Sequence, residues 1–268
     1  MNTTFISDNK ALLKIGWFTT GRGEGSYGLL ESTLNAIDSG ELHGEVAFVF
    51  VNRAEGQTKQ TDRFLTFVKS RGIPLITLSS RDFRRAHNNE PWANLREVFD
   101  KAVIELLSPF DADIAVHAGY MLIAPVLCSE YLTLNLHPAL PGSTIGMWQQ
   151  AIWDVIGKRL IRTGAMIHVS TINVDEGPVI ATAEFSVRGR HFDSHWEEID
   201  GFDLKTLKQK QGEELGLFKA IRKAGLLRER PLLVETLKAV SQGQIDPTGS
   251  KGIADLTQTV EKSIMDYP

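Results

Sequence analysis

Leu13-Lys14-Ile15-Gly16-Trp17-Phe18-Thr19-Thr20-Gly21-Arg22-Gly23-Glu24-Gly25-Ser26-Tyr27-Gly28 runs from an apolar, strand-like segment into a turn built of glycines. Gly23, Gly25 and Gly28 follow the strand directly and precede an amphipathic helical stretch at 29–37, which is the strand-turn-helix opening of a doubly wound α/β fold. Glycines let backbone approach a phosphate closely, and the following helix N-terminus offers free N–H groups and a favourable dipole. The turn is therefore expected to hold a phosphate. A dinucleotide site also expects an acidic residue at the end of the second strand to hold the adenosine ribose. That strand ends instead in Val51-Asn52-Arg53. NAD is disfavoured, and an arginine suited to a 2'-phosphate keeps an NADP-dependent oxidoreductase open as an alternative.

Working outward, short apolar β-rich runs alternate with amphipathic stretches. Strands are expected at Leu13–Thr19, 45–51, 74–78, 112–117 and 132–137, and helices at 29–37, 62–70, Trp92–Leu107 and 147–156. This alternation predicts an α/β fold, a mostly parallel twisted sheet with helices on both faces. Two further strand-like runs, 165–172 and 179–187, flank Asn173-Val174-Asp175-Glu176-Gly177-Pro178. Beyond Gly189 the chain becomes charged and helical, with helices expected at 204–224 and 232–240, a polar end after Gln242 and disorder in the last residues. A boundary is placed near Arg188: residues 1–188 as the main unit, 189–268 as a helical extension packed on it.

The 268 residues carry 29 Lys and Arg against 33 Asp and Glu, a net charge of −4. No broad positive field exists to drive nucleic-acid or anionic-membrane binding, so neither partner is expected. Cys128 is the only cysteine, which rules out an internal disulfide and a thiolate metal cluster and fits a reducing compartment. The N-terminal residues hold no apolar segment of signal-peptide length. The most apolar stretch, 114–127, is interrupted by His117, Gly119 and Pro125 and is shorter than the roughly 20 residues of a membrane span. A cytoplasmic protein is expected.

In Leu132-Thr133-Leu134-Asn135-Leu136-His137-Pro138, strand periodicity places the leucines on one face and Asn135 and His137 on the other. Pro138 cannot donate to a sheet ladder, so the strand should end there with His137 exposed to the crevice where open α/β sheets bind ligands. An amide beside an imidazole suits acyl chemistry, because Asn donates to a developing oxyanion and His shuttles protons near neutral pH. A carboxylate is available in the 173–178 loop, whose Gly-Pro enforces a turn. The spacing does not choose between Asp175 and Glu176.

Leu134 to Pro138 (LNLHP), Ala118 to Pro125 (AGYMLIAP) and Val174 to Ile180 (VDEGPVI), in their relation to one another, resemble the three hallmark stretches of the folate-dependent formyltransferases. Within that family the resemblance is greatest to the glycinamide ribonucleotide formyltransferases of purine synthesis. It implies a Rossmann-like formyltransferase fold and the transfer of a formyl group from 10-formyltetrahydrofolate, a co-substrate, to the primary amine of a small phosphorylated acceptor, without a metal. It further implies a catalytic Asn135, His137 and Asp175; a pterin pocket lined by Met121, Leu122, Ile123, Asn173 and Val174; and an acceptor held by Gly23, Gly25, Ser26 and Glu213. The chain departs from the family at Leu122, where an Arg is common, at Tyr27, where an Asn is usual, and at 142–148, which lacks the usual basic and histidine residues. A sugar-nucleotide or other amine N-formyltransferase is the alternative within the class. A formyl-folate hydrolase is expected to carry an N-terminal regulatory domain, and a methionyl-tRNA formyltransferase a basic RNA-binding C-terminal domain; this chain is expected to be neither.

Two smaller constellations are read as structural. His191 and His195, four apart and near Glu197 and Glu198, would share a helix face but lie in a polar segment. Cys128 follows Pro125, Val126 and Leu127 in an expected short helix and reads as a packing thiol.

Overall fold

The computed structural model describes residues 11–120, 122, 124–143, 146–173 and 175–266. In chain order the elements are β1 (Leu13–Thr19), α1 (Glu24–Asp38), β2 (Gly44–Val51), α2 (Lys59–Ser70), β3 (Leu75–Thr77), α3 (Ser80–Ala86), α4 (Trp92–Leu107), β4 (Ile114–His117), α5 (Leu127–Glu130), β5 (Thr133–His137) and α6 (Trp148–Gly157). There follow β6 (Arg162–Val169), β7 (Val179–Ser186), α7 (Asp193–Glu198), α8 (Leu204–Lys210), a 3-10 turn at Gly212–Glu214, α9 (Gly216–Ser241), β8 (Ala254–Asp255) and α10 (Thr257–Asp266). The strands form one sheet in the order β3-β2-β1-β4-β5-β6-β7-β8. β1 to β5 are mutually parallel, β6 runs against both neighbours, and β8 is parallel to β7. The chain moves outward from β1 to β3 and returns to β4 on the other side, so a ligand crevice opens at the carboxyl ends of β1 and β4.

Alternation along the strands divides the core. Ile15, Trp17, Val49 and Val51 face one side, where they meet Leu30 and Leu34 of α1 and Leu232, Leu233 and Leu237 of α9. Phe18, Phe48 and Phe50 face the other, against Phe99, Val103 and Leu107 of α4. Helices thus cover both faces, as the alternating pattern predicts. Gly16 is a packing requirement: a Cβ there would fall 2.6 Å from the Phe48 ring, at a register irregularity between β1 and β2.

The C-terminal third departs from the sequence expectation. In place of helices at 204–224 and 232–240, the chain ends α8 at Lys210 and then runs 26 residues of α9 straight through Pro231. A proline inside a helix costs about 3 kcal/mol or more. The burial that offsets this is extensive, because Leu217, Phe218 and Ile221 enter a second apolar cluster with Trp153 and Trp196 while Leu232, Leu233, Leu237 and Val240 enter the main core. The polar end after Gln242 adds β8 to the sheet edge and continues as α10, while residues 267 and 268, where disorder was expected, lie outside the described residues. Leu256, Val260 and Ile264 stand four apart on the side that meets the main core, a helical stripe that the polar composition of the segment hides. α7 begins at Asp193, so His191 precedes it and does not share a helix face with His195, whose Nδ1 instead lies 3.3 Å from Glu198 Oε2.

Candidate active site

β5 ends in the sequence Asn135-Leu136-His137, and its antiparallel neighbour pairs Asn135 with His168 and His137 with Met166. The 170–178 loop then folds back over this strand end. Gly177 makes that closure possible, since a Cβ there would lie 1.7 Å from the Val169 carbonyl oxygen, and the Val169 N–H donates to the Pro178 carbonyl at 2.8 Å. Asp175, at φ +57°, occupies the left-handed region that an aspartate tolerates better than most residues.

The loop carries its carboxylate into a cluster. Asp175 Oδ2 is 3.5 Å from His137 Nδ1 and accepts the Gly146 N–H at 3.0 Å, while Oδ1 is 3.5 Å from both Asn135 Nδ2 and His168 Nε2. His168 Nε2 also lies 3.0 Å from Asn135 Nδ2, and its Nδ1 lies 3.0 Å from the Val169 carbonyl oxygen. His168 Nε2 therefore lies between the Asn135 amide and the Asp175 carboxylate, within reach of both. Burial acts to push the Asp175 carboxyl up. The hydrogen bonds from His168 and the Gly146 N–H, with the charges of His137 and His168, outweigh it and hold the carboxyl below its usual range. Asp175 is thereby kept as an anion. His137 was expected to be exposed to the crevice and is instead only 3% exposed, with the Asp175 carboxylate 3.5 Å from its Nδ1.

His168 was missed by sequence reasoning. Its only signal was an in-strand histidine in the 165–172 run, and strand register alone brings it to Asn135. Nearby, His117 Nδ1 is 3.3 Å from Ser170 Oγ. Burial first, and the charge of His168 second, push the His117 imidazole down to about 3, so it stays neutral and supplies no proton near neutral pH.

The glycine-rich turn lies at the carboxyl end of β1. Gly23 is the N-cap of α1 in extended conformation, with no side chain capping the helix, and Cβ atoms at Gly23 or Gly25 would meet nothing within 4 Å. Ser26 is buried, with its Oγ 2.6 Å from where a Gly119 Cβ would stand. Gly28 serves a different purpose, for a Cβ there would lie 2.1 Å from Arg230 Cζ, so the glycine lets the α9 arginine lie against the first turns of α1. Tyr27 turns away from the crevice, its ring 4.6 Å from that of Phe67 with the Arg63 guanidinium 4.7 Å over it. A cavity of about 1110 Å³ opens between α1 and α9, and Gly25, Glu213, Trp148, Arg222 and Arg230 are among its lining residues. Two sequence-predicted acceptor residues, Gly25 and Glu213, thus share one cavity.

Of the expected pterin-pocket residues, Met121, Ile123 and Val174 lie outside the described residues. Leu122 is half-buried against the Phe18 cluster, and Asn173 is exposed, its carbonyl accepting the Thr171 hydroxyl at 2.9 Å. Cys128 packs in α5 with its thiol pushed up to about 11, chiefly by burial. Among the described residues no three His, Cys, Asp or Glu side chains group to hold a metal ion, and no helix is long and apolar enough to cross a membrane.

Comparison with known proteins supplies the family. The sequence profile described as formyl transferase matches residues 19–195, more than half of the chain. The phosphoribosylglycinamide formyltransferase of Dictyostelium discoideum is 27% identical over 169 residues, which are 59% of this chain and 78% of that protein. The Escherichia coli enzyme of the same name is 29% identical over 164 residues, 59% of this chain and 68% of that protein. Among solved structures, the Coxiella burnetii phosphoribosylglycinamide formyltransferase superposes with a TM-score of 0.62 at 19% identity, over 91% of this chain and 99% of that one, which speaks for the fold. A formyltetrahydrofolate deformylase from Pseudomonas syringae superposes with a TM-score of 0.57 at 20% identity, over 87% of this chain and 62% of that one. With the α/β sheet and the Asn135, His137 and Asp175 cluster at its carboxyl edge, the match makes the chain an enzyme that belongs to the formyl transferase family, the folate-dependent formyltransferases.

Proposed function

We propose that this enzyme transfers the formyl group of 10-formyltetrahydrofolate to the primary amine of a small phosphorylated acceptor in the cytoplasm, glycinamide ribonucleotide being the first acceptor to test. The observation that carries the reading is the meeting of Asn135, His137 and Asp175, with 3.5 Å from the carboxylate to each of the other two side chains. In this reading residues 1–188 form the catalytic domain and 189–268 an extension that completes one wall of the acceptor cavity. The acceptor's phosphate sits at the N-terminus of α1, on Gly23, Gly25 and Ser26, and Glu213 faces its sugar. The folate enters beside the 121–123 and 173–174 segments.

The neutral amine attacks the formyl carbon, forming the new C–N bond and placing negative charge on the formyl oxygen. The Asn135 amide and a protonated His137 donate to that oxyanion, which exists only at the tetrahedral stage. Collapse breaks the bond from the formyl carbon to N10 of the folate, and the proton lost by the amine ends on N10. Asp175 positions His137 or a proton-relaying water. The products are an N-formylated acceptor and tetrahydrofolate.

The test is turnover. Purified protein is mixed with 10-formyltetrahydrofolate and a panel of amines that includes glycinamide ribonucleotide and amino-sugar nucleotides, with tetrahydrofolate release and the mass of the product followed together. Formylation of a phosphorylated amine is expected. The reading fails if no amine is formylated while NADP binds saturably at micromolar concentration.

A further inference from the structure

We infer that Arg22, Arg53 and Arg81 form a second anion seat beside the phosphate turn, built for an additional phosphoryl group on a diphosphorylated acceptor. The inference deepens the proposed function and rests on its placement of the acceptor's phosphate at the N-terminus of α1. The three arginines come from the segments that follow β1, β2 and β3 at the carboxyl edge of the sheet, Arg81 in the first turn of α3. Backbone hydrogen bonds lock these loops side by side: the Asn52 N–H donates to the Thr19 carbonyl at 3.3 Å, the Ser80 N–H to the Asn52 carbonyl at 3.1 Å, and the Leu78 N–H to the Val51 carbonyl at 3.2 Å. Arg53 and Arg81 directly follow Asn52 and Ser80, and Arg22 stands three residues beyond Thr19 and directly before Gly23.

Two of the guanidiniums, those of Arg22 and Arg53, lack the carboxylates that ordinarily neutralise such a group. Among the described residues the side chains of Arg22 and Arg53 make no hydrogen bond or ion pair, and Arg53 Nε is buried without a partner. Arg81 Nε reaches only its neighbour Asp82, at 3.6 Å, and that carboxylate is also engaged by Arg85 at 3.1 Å and by Gln57 at 3.0 Å. Glu24, the acid nearest in sequence to the turn, pairs with Arg63 at 3.0 Å. Burial of Arg53, and then repulsion from Arg22 and Arg81, lower the Arg53 pKa, which is the sign of crowded like charge without a counter-ion. A buried donor without an acceptor costs free energy, and a bound anion recovers it. A phosphoryl group fits the donor set, because guanidiniums engage phosphate oxygens bidentately. The uncapped N-terminus of α1 and the open space at Gly23 adjoin the seat, so two linked phosphoryl groups find donors on both sides.

The measurement is calorimetric titration of the full chain with inorganic phosphate and with pyrophosphate at matched ionic strength. Pyrophosphate is expected to bind about tenfold or more tighter than phosphate, the scale of one added charge-assisted contact. Arg22→Gln, an exposed position chosen so that folding is retained, and the combined Arg22→Gln with Arg53→Gln are expected to remove most of that advantage while changing phosphate affinity little. Circular dichroism checks each variant. Equal affinity for the two anions, an undiminished pyrophosphate advantage in folded Arg22→Gln, or tighter binding of tri-γ-glutamate than of pyrophosphate would overturn the inference. Gly25→Val separates its failure from that of the parent reading, because loss of phosphate binding there marks the turn as a phosphate site whatever the arginines do.

Discussion

Asp175 Oδ2 stands 3.5 Å from His137 Nδ1, and the two residues come from a loop and a strand end that meet only when the loop folds back across the sheet. Hydrogen bonds and neighbouring histidines hold the Asp175 carboxyl below its usual range, so the loop presents an anion to the imidazole. If the proposed chemistry holds, Asn135→Ala and His137→Ala each lower kcat about a hundredfold or more with little change in either KM. The double variant His137→Ala with Asp175→Ala loses much less than the product of the single losses, because the two act as a unit. Steady-state kinetics on folded variants decides this. Near-normal turnover by Asn135→Ala would withdraw the assignment of this strand.

His168 is expected to position Asn135 rather than to touch substrate, given its 3.0 Å contact with the amide. His168→Ala should lower kcat about tenfold or more while leaving both KM values close to native, and His168→Gln, which retains an acceptor, should recover part of the loss. A purely structural role predicts equal damage from both variants and a parallel fall in thermal stability.

Two glycines separate a rigid clash from a yielding one. A Cβ at Gly16 meets the fully buried Phe48 ring at 2.6 Å, so Gly16→Ala should destabilise the protein by about 1–3 kcal/mol. A Cβ at Gly28 meets the end of an exposed arginine, which swings aside, so Gly28→Ala should cost less than about 1 kcal/mol. Its effect should instead be a raised acceptor KM, since Arg230 lines the cavity. Chemical denaturation and initial-rate kinetics measure the two effects separately.

Gly25→Val offers a clean probe of the acceptor seat, because beyond the local backbone of α1 its Cβ position meets nothing within 4 Å. The variant should fold, and the acceptor KM should rise far more than the folate KM. An unchanged acceptor KM would remove the phosphate from this turn.

Asp100 gives a pH signature. Its carboxylate is buried in α4 and accepts the Val126 and Leu127 N–H groups at 2.9 and 3.2 Å, yet burial dominates and pushes its pKa up to about 6. The folded state binds the proton more tightly than the unfolded state, so this group makes the fold less stable as pH rises from about 4 to 6 and contributes no further slope beyond. Asp100→Asn keeps an acceptor for both N–H groups and removes the charge. Its melting temperature relative to the native chain should therefore be higher at pH 8 than at pH 4.5. A difference that is constant across this range would show that the charge is not penalised.

The strand-turn-helix beginning at Leu13, the parallel strands β1 to β5 and the helix Trp92–Leu107 were legible because apolar period and glycine or proline punctuation are local properties of the chain. The break expected between 224 and 232 is absent from α9: local propensity opposes a helix at Pro231, while the gain that overrides it comes from two separate apolar clusters that only the folded chain brings to one helix. The reversed direction of β6 is likewise a matter of pairing, and that pairing is what delivers His168 to Asn135.

At the site, the sequence by itself determined that Asn135 and His137 share a strand face and that glycines follow β1, since strand alternation and glycine's freedom operate over a few residues. The choice between Asp175 and Glu176 belonged to the tertiary structure. A left-handed backbone at Asp175 and the Gly146 N–H turn that carboxylate inward, while Glu176 stays exposed. The same holds for Arg22, Arg53 and Arg81, three charges scattered along the sequence, which become one electropositive seat because parallel strands gather the loops at their carboxyl ends along a single edge.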